Sequence, residues 1–117
     1  MKKTFILLFD PGPNWDEKKE IEKQDFWDGH VKFVDKLFEK GKVIITGPII
    51  HYDRIVIIYD AKNESEIRIT FKDDPFIKNG ILHLESVMEW NIRLDQRKLW
   101  LANELFIQNI NFLILFV

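Results

Sequence analysis

Residues 42–60 read KVIITGPIIHYDRIVIIYD. Val43 to Ile50 is a β-branched run broken by Gly47-Pro48, which predicts a strand that bends or ends near Gly47. His51-Tyr52-Asp53 make a short turn, and Ile55 to Tyr59 form another apolar run, so the segment predicts an antiparallel hairpin. Upstream, Thr4 to Phe9 is apolar on both alternating sets, as in a strand covered on both faces, and Asp10-Pro11-Gly12-Pro13-Asn14 stops it. Trp15 to Glu22 is a polar loop holding one large aromatic. From Phe26 two apolar rows run at helical spacing, Phe26, Phe33, Val34 and Leu37 beside Trp27, Val31, Val34 and Phe38, and Gly41 ends this helix at the C′ position.

Downstream of the hairpin, Asn63 and Glu66 resemble a capping box, and Ile67 with Phe71 predicts a short second helix that Asp73-Asp74-Pro75 terminates. Ile81 to Trp90 alternates, with Leu82, Leu84, Met88 and Trp90 on one face and Ser86 as the exception. The predicted order is β-α-β-β-α-β: an α+β, ferredoxin-like split βαβ unit with two helices on one face of a four-stranded antiparallel sheet. Because strands one and three are apolar on both sides, the sheet's other face needs a cover, and the expected cover is a second copy, making a homodimer. Residues 1–93 form this unit. Residues 94–117 form a C-terminal extension in which Leu99, Phe106, Ile110, Leu113 and Val117 trace an amphipathic helix, expected to pack on protein.

The 117 residues carry 17 Lys+Arg against 19 Asp+Glu, for a formal charge of −2, and only four of the basic residues are Arg. That balance shows no basic footprint for nucleic acid. The chain contains no cysteine, which removes disulfides, thiol catalysis and thiolate zinc sites and fits a reducing compartment; the expected location is cytoplasmic. No apolar run approaches the roughly 18 residues of a spanning helix, and the run after Met1-Lys2-Lys3 is too short for a signal-peptide core. Serine-hydrolase, P-loop and dinucleotide motifs are absent.

His30 is the most informative residue. It falls four residues after Phe26 and three before Phe33, so an imidazole lies inside the apolar stripe facing the sheet. Such a ring is either a core histidine bonded to a backbone carbonyl or a general base oriented by a carboxylate. Asp74 is the candidate carboxylate, since Pro75 fixes the chain there; its alternative role is to stop the helix or make an Asx turn. His51 reads as a loop residue. His83 faces the same way as Glu85, but histidines at 30, 51 and 83 match no metal spacing, so no metal is expected.

The succession Gly12-Pro13-x-Trp15, Gln24, His30-x-x-Phe33-x-x-x-Leu37 with Gly41, Thr46-Gly47-Pro48-Ile49, and Asp73-Asp74-Pro75-Phe76 with Gly80 resembles the YCII-related family over about the first ninety residues. The order of these pieces carries the resemblance. It implies a dimeric α+β barrel, a pocket associated with the dimer, and a His-Asp site, here His30 and Asp74, working without metal or organic cofactor. Relatives include a dehydrochlorinase, and muconolactone-isomerase-type enzymes share the fold, so the resemblance implies proton abstraction from a small, aromatic or hydroxylated substrate by a lyase or isomerase. The chain departs from the family in a shorter connection after Gly47-Pro48-Ile49 and in its extension beyond about Leu94. Trp15, Trp27 and Phe33 are candidates for an apolar wall, the latter two equally readable as core, and Thr46, Gly47 and Gln24 are candidates for binding a developing oxyanion. Two rival readings are a non-catalytic module that holds a small metabolite and an interaction protein using Leu99 to Val117.

Overall fold

The computed structural model describes residues 2–97. Strand β1 (Lys3–Pro11) leads through a loop with a single 3₁₀ turn (Ile21–Lys23) to helix α1 (Trp27–Glu39). Strands β2 (Val43–Pro48) and β3 (Ile55–Ala61), helices α2 (Glu64–Phe71) and α3 (Pro75–Lys78), and strand β4 (Leu82–Glu89) follow. The sheet order is β2-β3-β1-β4 with every neighbour antiparallel, the ferredoxin-like arrangement that the pattern of runs and turns predicts. The amphipathic helix expected from Leu99 to Val117 lies outside the described residues.

Alternation along the central strands builds the core. Phe5, Leu7 and Phe9 of β1 face Tyr59, Ile57 and Ile55 of β3 in register, all buried beneath the helices. Leu37, Ile67, Phe71 and Phe76 close this layer from the helix side. α1 ends as its sequence dictates: Gly41 takes φ +75°, its N–H donates to Phe38 O at 3.0 Å, and Lys42 N–H donates to Leu37 O at 2.9 Å. This is a Schellman cap, in which a left-handed C′ residue satisfies the last carbonyls. α2 carries the expected N-cap, with Asn63 Oδ1 accepting from Glu66 N–H at 2.8 Å.

Three local features differ from the sequence reading. α1 begins at Trp27, because Phe26 itself adopts φ +69° as the N-cap. The Asp74-Pro75 step both stops α2 and starts α3, a single turn. In β4, Leu84 pairs with Phe9 but Ser86 pairs with Leu8, leaving Glu85 as a bulge. The extra residue reverses the alternation: Leu82 and Leu84 point under the helices, Val87 joins them opposite Leu7, and Ser86 and Met88 turn to the other face. Ser86 is therefore no exception, and Met88 and Trp90 do not share the face of Leu82.

That other face carries Ile6, Leu8, Val56 and Ile58 on the central strands and half-exposed Ile45 on β2. Ile92 and Leu94 join Trp90, Ile45 and Ile58 around a shallow cavity of about 390 Å³ on this side. Among the described residues no helix is long and apolar enough to cross a membrane.

Candidate functional site

Three polar side chains are buried among the described residues, Gln24, His30 and Asp74, and two of them meet. The helical register carries His30 to the inner face of α1 with Leu37. The preceding residue is Gly29, where a Cβ would lie 3.0 Å from Pro75 Cγ, so only glycine lets α1 and α3 approach this closely without a shift. Asp74 sits at the N-cap of α3 with Pro75 at the first helical position, where a missing N–H costs nothing.

Asp74 Oδ1 accepts from Phe76 N–H at 2.9 Å. Both carboxylate oxygens also lie 3.0 Å from His30 Nδ1. The Asp74 side chain is fully buried and that of His30 is 10% exposed. A carboxylate only accepts, so the ring nitrogen it faces carries the hydrogen and Nε2 of the neutral imidazole keeps its lone pair. The ring is also fixed by carbon: Phe76 stacks on it at a centroid distance of 4.2 Å and 13° between planes, and Trp27 lies 5.9 Å from it.

His30 opens onto a cavity of about 170 Å³ between α1 and the β2–β3 hairpin, walled by Trp27, Val31, Val34, Ile57 and Pro48. Nε2 has no hydrogen-bond partner among the described residues and is not sealed from solvent. The charged residues on this cavity are two exposed carboxylates, Glu22 and Asp35. A neighbouring cavity of about 380 Å³, lined by Trp15, His51, Tyr52 and Arg54, shares Ile21, Glu22, Pro48 and Ile55 with the first. Arg54 pairs there with Asp10, Nε to Oδ1, at 3.0 Å.

The residues singled out from sequence divide accordingly. Trp27, Thr46 and Gly47 line the His30 cavity, with the Thr46 hydroxyl donating to Val56 O at 2.9 Å. Trp15 lines the neighbouring cavity. Gln24 and Phe33 line neither. The Gln24 amide braces the loop before α1: Oε1 accepts from Asp16 N–H at 2.9 Å, and Nε2 donates to Asp16 O at 2.8 Å and Lys19 O at 2.9 Å. Phe33 packs edge-on against Phe71, centroids 5.5 Å apart. His83 and Glu85 approach only to 4.0 Å on the exposed surface, and among the described residues no three His, Asp or Glu side chains converge as a metal set.

Sequence reasoning did not single out Gly29, Glu22 or Phe76. Gly29 carried a usable signal, since a glycine inside a helix costs about 1 kcal/mol relative to alanine and calls for a packing reason. Phe76 followed the Asp-Pro step, but nothing local indicates that its ring lies under an imidazole contributed 46 residues earlier.

Comparison with known proteins agrees with the fold. The model of the YCII-related domain matches residues 13–91, which include both His30 and Asp74. No curated protein matches the chain. Among solved structures, the structural-genomics protein YJCS superposes with a TM-score of 0.50 at 14% identity, covering 80% of this chain and 100% of that one; at that identity the likeness concerns the fold.

Proposed function

We propose, for a chain that belongs to the YCII-related domain family, that His30 is a general base acting on a small ring compound in the 170 Å³ cavity. One observation carries the reading: Asp74 holds the imidazole at Nδ1, Nε2 has no partner among the described residues, and the ring lines an apolar cavity. A structural histidine pair has no need to line an apolar cavity. A base oriented by a buried carboxylate does.

In the proposed step Nε2 takes a proton from a substrate hydroxyl or activated carbon, and the electron pair stays on the substrate. Asp74 stabilises the imidazolium that forms. The pair on the substrate then either expels a leaving group, as in a lyase, or accepts the proton back at another atom, as in an isomerase. Either outcome balances without electron transfer or an organic cofactor. Thr46 and Gly47 line the same cavity from β2; the Thr46 hydroxyl already donates to Val56 O, which leaves the Gly47 backbone as the candidate to meet a developing oxyanion.

We also propose a homodimer through the sheet face opposite the helices, on the strength of Ile45 and Met88, both more than 40% exposed there. Size-exclusion chromatography with light scattering should then return twice the chain mass, falling to one for Ile45→Lys.

The base reading is tested by incubating the protein with hydroxylated ring compounds in deuterated buffer and following ring-proton exchange by NMR. Exchange by the wild type that drops by roughly 10²-fold or more in His30→Gln supports it. Ligands that shift the His30 resonances but never exchange or turn over would make the pocket a non-catalytic binding module.

A further inference from the structure

We propose that the His30 cavity selects uncharged or cationic single-ring compounds and turns anions away, and that Glu22 and Asp35 set this preference. The inference rests on the reading of the cavity as a small-molecule site and adds the charge class of its ligand. There is room for one ring with a short substituent: about 170 Å³ compares with the roughly 150 Å³ of an apolar cavity that accommodates benzene. The walls are hydrocarbon, including the indole of Trp27, whose face favours a cation over an anion.

Charge then discriminates. Glu22, on the 3₁₀ turn, and Asp35, on α1, both line this cavity, and no Lys or Arg does. Glu22 is the charged residue that the two cavities share, and the neighbouring cavity adds Glu20 and Asp53 against one arginine, Arg54. The Arg54 guanidinium lies outside the His30 cavity and pairs through Nε with Asp10 at 3.0 Å. Deeper in, the oriented imidazole stands on a carboxylate. An anionic ligand would approach exposed carboxylates, find no cation on the walls, and lose its hydration in an apolar cavity. A neutral phenol or alcohol loses little on entry, and an ammonium gains from both carboxylates and the indole.

Three ligands of nearly equal shape make the test: benzyl alcohol, benzylammonium and benzoate, titrated at neutral pH and low salt against the full chain, with the Trp27 and His30 resonances followed by NMR. The expected order is benzylammonium as tight as or tighter than benzyl alcohol, with benzoate weaker by about tenfold, a size in keeping with two screened surface charges. In the Glu22→Gln/Asp35→Asn double variant, whose exposed positions leave the fold intact, the spread should shrink to about twofold with benzyl alcohol unchanged. If benzoate binds as tightly as benzyl alcohol, or if the double variant keeps the full spread, the charge preference is overturned while the site stands. If none of the three moves the His30 or Trp27 resonances, the binding-site reading itself is overturned.

Discussion

Asp74 holds His30 with both carboxylate oxygens, each 3.0 Å from Nδ1, while the same Oδ1 caps the first turn of α3 through Phe76 N–H. One carboxylate thus ties the orientation of the imidazole on α1 to the start of a different helix. The Phe76 that receives the cap is also the ring stacked on His30. Cap, carboxylate and stack meet at one residue pair, which joins the proposed base to the junction between α1 and α3.

Substitution at Asp74 separates the two roles. Asparagine retains an oxygen to accept from Phe76 N–H but presents an amide to the ring, so Asp74→Asn should fold while inverting the imidazole tautomer. Histidine ¹⁵N spectra of the neutral form are expected to move from the Nδ1–H to the Nε2–H pattern, and proton exchange with ring ligands should fall with it. Asp74→Ala loses the cap and leaves the buried ring nitrogen unpaired, and urea unfolding should show a loss of about 3 kcal/mol. An unchanged tautomer in Asp74→Asn would mean that the carboxylate does not orient the ring.

Gly29 controls how closely α1 and α3 approach. With Pro75 Cγ only 3.0 Å from where its Cβ would stand, Gly29→Val should force the helices apart and cost about 1–3 kcal/mol, as overpacking does. The site readout is the ¹⁵N tautomer signature of His30, expected to weaken as its distance to Asp74 grows. A fully stable Gly29→Val with the wild-type His30 signature would show that the helix contact has slack.

These contacts also mark where the sequence stops being informative. The strand order follows from alternation and turn residues, because each strand's period is written in its own side chains, and the burial of His30 follows from its helical spacing to Phe33 and Leu37, whereas Phe26, read as part of the same stripe, is half exposed at the N-cap. The bulge at Glu85 is different: it exists only relative to β1, and its one local trace is Ser86 falling out of phase in an apolar set. α3 has four residues, too few to show a period, and Asp74-Pro75 reads equally as a stop and as an N-cap followed by its N1 proline. Gln24 reads as a pocket amide because its bonds go to backbone atoms of Asp16 and Lys19, partners that no side-chain pattern identifies. The cavity walls on the 3₁₀ turn and the hairpin come together only in three dimensions.

Tyr59 gives the fold an alkaline weakness. Its hydroxyl is sealed from solvent near the Thr70 side chain without a well-formed hydrogen bond, and burial, reinforced by the Glu66 carboxylate, pushes its pKa from 10.0 up to about 12. Between these values the unfolded chain releases the phenolic proton while the folded chain keeps it, so stability falls as pH rises from 10 towards 12. Tyr59→Phe removes both the poorly satisfied hydroxyl and this slope. It should be more stable by about 1 kcal/mol at neutral pH, and its advantage in urea midpoint should be larger at pH 11 than at pH 9. A constant gap across that range would place the tyrosine's titration outside the folding equilibrium.

Two glycines that look alike in the sequence should respond in opposite ways to the same methyl group. Gly12 donates its N–H to Ile81 O at 2.8 Å, and Asn14 N–H donates to Gly80 O at 2.8 Å, fastening the loop after β1 to the turn between α3 and β4. A Cβ at Gly12 would lie 2.3 Å from Gly80 O, a backbone atom that cannot rotate away. Gly12→Ala must therefore break this pairing and should cost about 2–3 kcal/mol, with faster hydrogen exchange at residues 12 and 14. A Cβ at Gly47 meets nothing within 4 Å, so Gly47→Ala should stay within about 0.5 kcal/mol of the parent. Because Gly47 lines the His30 cavity, the effect there should appear as altered ligand affinity. A Gly12→Ala variant as stable as the parent, with unchanged exchange at residues 12 and 14, would mean that the loop pairing at Gly12 does not hold the turn between α3 and β4.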